Sequence, residues 1–490
     1  MANRDGFSGK LGFILAAAGS AVGLGNIWRF PYLAGQNGGA IFLLVYLICI
    51  FLLCYPIMVG EIAIGRSAGR DAYGSYTKLG GKRWGMLGLF GILAGVFILS
   101  FYNVVAGWAF GYFLNISFGN LLQESDYSSY FGGFVNDIIS LDSAEGISKS
   151  NLIFSLLFMV ITAVIVGQGI QKGIELANKI MMPALYLILL GLIVYALTLP
   201  NAMEGVKFYL VPDFSELRVQ TVFDGLKQAF FSLSLGMGCL ITYGSYLKKD
   251  QNIPGSAAII SIADTSVAFF SGLMIFPLVH FLQYKLQVTG VATAGPPLIF
   301  IVLPQIFQEM GPVLGRIMGG SFFLLICFAA LTSTISLLEV PAAYLVDQHK
   351  IPRKRVVWIL ALLIFVLGLP SMMSQGMVPA LSKLFFYRGQ DFLTFISDMC
   401  DISLTLGGCL MCIFVIRTWR IENMDAELSH GNATYARSFL RTYINFAITY
   451  ICPALLGILS VLIILEKFIG LEVLFRSEEH TSELQSRQYL

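Results

Sequence analysis

Gly19-Ser-Ala-Val-Gly-Leu-Gly-Asn26 interrupts an apolar stretch that runs from about residue 11 to residue 36. A second interruption, Ser232-Leu-Ser-Leu-Gly-Met-Gly238, falls inside the apolar stretch 222–247. Glycine costs about 1 kcal/mol against alanine in a helix interior. Paired G-x-G elements inside two apolar spans therefore point to unwound segments. Irregular backbone at membrane depth persists only where protein buries it or where it lines a cavity. There, freed carbonyls can coordinate a cation and a half-helix N-terminus can hold a carboxylate. Close helix packing through glycine would use the same residues, and a lone G-x-G would read that way. The two interruptions here lie five spans apart, and an odd spacing inverts the second unit relative to the first. That is the layout of an inverted repeat around a central site.

The rest of the chain supports a polytopic membrane protein. Of 490 residues, 57% are hydrophobic and only 12% charged, against about a quarter charged in soluble domains. The net charge of +2 implies no particular partner, and no basic cluster is dense enough for nucleic acid. The apolar stretch from Leu11 runs straight into a long span, unlike a cleavable signal peptide. The eight cysteines lie in or beside apolar segments, and Cys409 and Cys412 form a C-x-x-C inside a span. Redox chemistry needs that motif at an exposed helix start, so these read as small apolar residues. The four histidines do not cluster at metal-ligand spacing.

Hydropathy predicts about eleven spans. They run roughly 11–36, 39–66, 86–118, 151–168, 179–199, 222–247, 257–286, 314–346, 356–373, 392–417 and 440–466. Basic residues fall in alternate loops: Arg4 and Lys10, Lys78 to Arg83, Lys172 and Lys179, Lys248 and Lys249, Arg353 to Arg355, and Arg417 to Arg441. Positive charge marks the cytoplasmic side. The expected location is a bacterial inner membrane, with the N-terminus cytoplasmic and the C-terminus outside. One transporter domain, 1–475, would hold repeats at about 11–200 and 220–417 and an extra span at 440–466. The segment after Phe475 spells what a common sequencing adapter encodes. Residues 476–490 are accordingly read as a non-native tail.

Polar groups inside spans cost about 2.5–3.5 kcal/mol each on insertion scales, and each needs a partner. They are Asn26, Arg29, Glu61, Gln228, Asp264 and Glu339. Asp264 is either a structural carboxyl bonded to hydroxyls such as Ser261 or Ser266, or a site residue. Glu61 and Glu339 suit a capping role at the breaks of neighbouring helices. Thr332-Ser-Thr334 offers either hydroxyls back-bonded to their own helix or oxygen ligands for a hard cation.

Taken together, these motifs resemble the neurotransmitter:sodium symporter family in its bacterial eleven-span branch. The residues that carry the resemblance are Gly19 to Pro31 as a block, Asn37-Gly-Gly39, Glu61 to Arg66, Lys172-Gly-Ile-Glu175 with Pro183, and Phe231 to Gly238 followed by Thr242 to Tyr246. Gly295-Pro-Pro-Leu-Ile-Phe300, Leu331-Thr-Ser333 and Glu339-Val-Pro341 extend it over about residues 4–466. The resemblance implies an all-α fold of two inverted five-helix repeats with broken helices 1 and 6. It implies a sodium-coupled symporter for a small neutral, hydrophobic amino acid. Proton coupling on the same fold is the nearest alternative; a channel or a membrane enzyme is the remote one, and no catalytic residue is expected.

By the same resemblance, a first sodium would lie among Ala21, Asn26, Ser232 and Asp264. A second would lie among Gly19, Val22, Ala329, Thr332 and Ser333. The substrate pocket would comprise Ala21, Gly23, Gly25, Ile98, Tyr102, Phe231, Ser232, Ser234, Met237, Ser333 and Leu337. Tyr102 would bind the substrate carboxylate and Phe231 would close over it. Gly23 leaves room for that carboxylate, where amine carriers of the family place an acid. Arg29 would gate the outside, with Asp398 as its acidic partner and Asp401 close by; Arg4, Asp347 and Tyr246 would gate the inside. Asp264 would replace the chloride of animal members, so sodium is the expected co-substrate and chloride is not required. Oligomeric state is not legible.

Overall fold

A computed structural model describes residues 6–119, 121–136, 151–286 and 298–469. Arg4, Gly295 to Pro297 and the tail 476–490 lie outside them. The described residues form helices, turns and short connectors, with no strand among them. In chain order the main helices are α1 (Lys10–Ala21), α2 (Gly25–Gln36), α3 (Ala40–Ala68), α4 (Lys82–Ser117), α5 (Asn151–Gly167), α6 (Ile170–Leu197), α7 (Val219–Ser232), α8 (Cys239–Gly244), α9 (Ile253–Leu286), α10 (Pro312–His349), α11 (Arg353–Met373), α12 (Phe392–Trp419) and α13 (Phe439–Phe468).

Eight of these are long and apolar enough to cross a membrane, or nine when α1 and α2 count as one bent span. The count of eleven is reached only by adding the 17-residue α5 and the pair α7–α8, whose pieces are individually too short. The fifth predicted span begins earlier than 179. Gly169, at φ 92°, starts a helix at Ile170, so Lys172 and Lys179 sit in its first turns rather than in a loop. Glu175 there is buried, accepts from Ser8 N at 2.9 Å and pairs with Lys179 at 2.6 Å. Hydropathy also passed over short helices such as Ala202–Leu210 and Leu298–Glu309, which no 18-residue window detects.

The two interruptions are real breaks, and each has a local cause. α1 ends at Ala21, and α2 leaves it bent by 50°. The Gly23 N–H donates to Asn26 Oδ1 at 2.9 Å and the Leu24 N–H to Tyr102 Oη at 2.8 Å. Side chains thus replace the helical acceptors that the break removes. Between α7 and α8, Ser234, Gly236 and Gly238 take φ of 54°, 81° and 76°, the left-handed region that favours glycine. A Cβ on Gly236 would lie 2.3 Å from Leu404 O, so only glycine fits. Glu61 Oε1 accepts from Gly236 N at 2.8 Å, and Ser234 Oγ donates to Ser20 O at 2.9 Å. The second bond ties one break to the other.

α4 and α10 share the most extensive helix interface, and both are 78% buried over their most apolar windows. They form the wall against which the breaks pack. α13 is only 33% buried. Its exposed Phe446, Tyr450, Ile458 and Val461 suit a peripheral helix facing lipid, where apolar surface carries no cost.

Candidate functional site

Where the breaks face α4, α9 and α10, polar side chains gather at the centre of the bundle. Asn26 Nδ2 donates to Asp264 Oδ1 at 2.7 Å, to Asp264 O at 3.1 Å and lies 3.0 Å from Ser232 Oγ. Ser232 Oγ is 2.9 and 3.0 Å from the two carboxylate oxygens of Asp264, and Tyr46 Oη donates to Oδ2 at 3.2 Å. All four side chains are almost fully buried. Ser261 and Ser266 are not the partners of Asp264: Ser261 Oγ lies against Met58 Sδ, and Ser266 bonds Tyr186 and Ala263 O. Their positions on α9 turn them away from the breaks. Asp264 is thus held by three elements other than its own.

A second oxygen cluster joins α1 to α10. Thr332 Oγ1 lies 3.2 Å from Val22 O, 3.0 Å from Ala329 O and 3.1 Å from Phe328 O. Ser333 Oγ is 3.3 Å from both Val22 O and Ala329 O. The back-bonding of these hydroxyls to their own helix is thus present, and the same hydroxyls also reach Val22 O of the broken helix. Gly19 packs against Thr332, whose Cβ would stand 3.3 Å from a Cβ placed there. Neither cluster contains His or Cys; the Asn26 amide turns its nitrogen to Asp264 and Ser232 and its oxygen to Gly23 N, and no group of three or more His, Cys, Asp or Glu that would hold a metal occurs among the described residues. The carboxylate and hydroxyl oxygens of the first cluster and the hydroxyl and carbonyl oxygens of the second are of the type that suits a hard cation.

Between the clusters lies a small, nearly closed cavity of about 30 Å³, room for no more than a water or two in this conformation. Ala21, Gly23, Gly25, Ile98, Tyr102, Phe231, Ser232, Ser234, Met237, Ser333 and Leu337 all line it, together with Ser20. Sequence reasoning did not name Ser20, whose hydroxyl bonds Ser336 Oγ at 2.8 Å. The Phe231 ring sits 3.2 Å from the Cβ position of Gly25 and, on its outer side, 4.6 Å below the Arg29 guanidinium. Arg29 in turn pairs with Asp401 at 2.7 and 3.3 Å. This corrects the expected partner Asp398, which bonds Tyr387 Oη at 2.6 Å and Lys467 at 3.3 Å. Three residues along α12 amount to a rise of about 4.5 Å, and Arg29 stands at the deeper level.

The expected inner gate comprises Arg4, Asp347 and Tyr246. Arg4 lies outside the described residues, and Asp347 Oδ2 accepts from Asp71 N at 3.1 Å. Tyr246 Oη donates to Glu339 Oε1 at 2.7 Å, and Arg353 forms an ion pair with the same carboxylate. Arg353 also donates to Val166 O at 3.0 Å, joining α5, α10 and α11. Sequence reading had counted Arg353 only as a loop charge. Its signal was the unpaired Glu339 within the preceding span.

A family model described as the sodium:neurotransmitter symporter family matches residues 4–131 and 119–470. An uncharacterized sodium-dependent transporter of Bacillus subtilis (strain 168), YhdH, is 36% identical over 93% of this chain and 98% of its own. A sodium-dependent transporter of Haemophilus influenzae is 33% identical over 94% and 98%. The crystal structure of MhsT in complex with L-phenylalanine is similar with a TM-score of 0.82 at 40% identity, covering 94% of this chain and 99% of that one.

Proposed function

The chain belongs to the sodium:neurotransmitter symporter family, and from that premise we propose that it imports a neutral, hydrophobic amino acid by sodium-coupled alternating access. The observation that carries this reading is a cavity flanked by two oxygen clusters at two helix breaks. The substrate's carboxylate would lie at Gly23, beside Tyr102, and would itself complete the coordination of the sodium at Asn26, Ser232, Asp264 and Ala21 O. Substrate and ion then strengthen each other's binding by one reciprocal coupling free energy. A second sodium would sit among Gly19, Val22, Ala329, Thr332 and Ser333. The amino acid's side chain would face Ile98, Phe231, Met237 and Leu337, an apolar lining in which the flexible Met237 adapts to aromatic rings. The bound phenylalanine in MhsT supports a ligand of this class. The lid of Phe231 under Arg29–Asp401 would open outward, and the Glu339–Arg353–Tyr246 cluster would part inward. Residence in the cell membrane, with the N-terminus cytoplasmic, follows from the positions of the basic loops.

Chloride is not part of this mechanism. Sodium ions in a low-dielectric site need fixed negative charge nearby. Positions 264 and 268 share one face of α9, and only 264 is acidic; Ala268 is buried and apolar. Equilibrium binding of the twenty amino acids in sodium chloride, sodium gluconate and potassium chloride tests both points. Equal affinity for a hydrophobic amino acid in the two sodium salts is expected, with a loss of roughly tenfold or more in potassium. Equal binding in potassium would refute sodium coupling, and a several-fold drop in gluconate would refute the role of Asp264.

A further inference from the structure

Asn178, on α6, is wholly withdrawn from solvent. Its Nδ2 donates to Ile174 O at 2.8 Å, which fixes the orientation of the amide. Oδ1 then points away from that carbonyl, and no donor among the described residues reaches it. A buried acceptor left without a partner costs about 1–3 kcal/mol. The oxygen aims at α1: it stands 2.0 Å from where a Cβ on Gly19 would be, and Thr332 Cβ lies 3.3 Å from the same point. With Asn178 held in this rotamer, a side chain at position 19 would displace its oxygen.

The surroundings hold many acceptors and few protons. In a continuous helix the Gly23 N–H would return to Gly19 O and the Leu24 N–H to Ser20 O. Here they go to Asn26 and Tyr102. Thr332 and Ser333 bring one hydroxyl proton each, shared among Val22 O, Ala329 O and Phe328 O. An assembly of oxygens short of donors attracts a hard cation. Asn178 stands one helical turn from Ile174, between this assembly and the inner end of α6, where Glu175 holds Ser8.

We propose that Asn178 Oδ1 is an inward-side oxygen ligand of the sodium ion held between α1 and α10, and the first oxygen that ion meets as it leaves toward the cytoplasm. The assignment rests on the sodium-coupled reading above and adds a ligand from a helix outside both breaks. The competing occupant is a buried water that donates to Oδ1.

Sodium titrations of amino-acid binding to the purified full chain separate the two. For Asn178→Leu, binding at saturating sodium should persist, while the half-saturating sodium concentration rises about fivefold or more. For Asn178→Asp, which keeps the shape and adds charge, the half-saturating concentration should fall about threefold or more. The aspartate variant carries the test if the leucine variant does not fold. Variants that titrate like the wild type, or that lose affinity at every sodium concentration with the midpoint unmoved, overturn the assignment and leave Asn178 hydrated or structural. Wild-type binding that ignores sodium would instead overturn the coupling itself, and the same titration reveals it without either variant.

Discussion

Asn26→Leu is expected to abolish sodium-dependent substrate binding, weakening it by about 100-fold or more. Asn26 joins the first oxygen cluster to the break: it accepts from Gly23 N and donates to Asp264, and Ser232 Oγ lies 3.0 Å from it. Leucine removes the side-chain oxygen proposed for the ion. It also removes a charge-assisted bond worth about 1.5–3 kcal/mol, leaving a buried carboxylate with fewer donors. Since each 1.4 kcal/mol is tenfold, that bond alone is worth about one to two decades, and the lost ion ligand adds to it. Thermal unfolding in the absence of substrate checks that the variant folds. A folded Asn26→Leu protein that binds its amino acid in sodium as the wild type does would show that the ion lies elsewhere.

Gly23→Asp is expected to eliminate amino-acid uptake. The structure separates two causes. Any Cβ at position 23 would lie 2.5 Å from Ser333 Oγ and 2.7 Å from Tyr102 Oη, contacts that force movement whatever the side chain. Gly23→Ala should therefore weaken uptake by about tenfold, in the range of overpacking costs of 1–3 kcal/mol. Aspartate adds a negative charge beside the place proposed for the substrate's carboxylate, and like charges within about 4–6 Å disfavour each other. Its loss should exceed that of alanine by a further decade. Equal loss in the two variants would leave only the steric effect and remove the argument that the carboxylate sits at Gly23.

The breaks were legible because glycine is so poorly suited to helix interiors that two G-x-G elements inside apolar spans demand a reason. The eleven lining residues around one cavity were reached through the motif resemblance, not through periodicity. Short-range chemistry was hidden for identifiable reasons. Asp264 was visible as a costly charge, yet its partners Asn26, Ser232 and Tyr46 come from three other elements, and sequence suggested hydroxyls on its own helix instead. Asp398 and Asp401 lie less than one turn apart on α12, so a one-dimensional reading could not tell which meets Arg29; depth in the bundle decides for Asp401. Glu339 and Arg353 were each noticed, but a turn between two helices brings them together, and hydropathy treats such a turn only as a boundary. Asn178 was missed because hydropathy began the fifth span at 179, which left this uncharged amide in what read as a loop, whereas the helix starts at Ile170.

The central claim is that a sodium gradient drives an amino acid through this cavity. Its most direct test is uptake of a radiolabelled hydrophobic amino acid into proteoliposomes holding the purified chain. The proposed mechanism predicts concentrative uptake under an inward sodium gradient with no proton gradient, collapsing when sodium is equalised across the membrane. Accumulation driven by a proton gradient in potassium medium, with none from sodium alone, would contradict it.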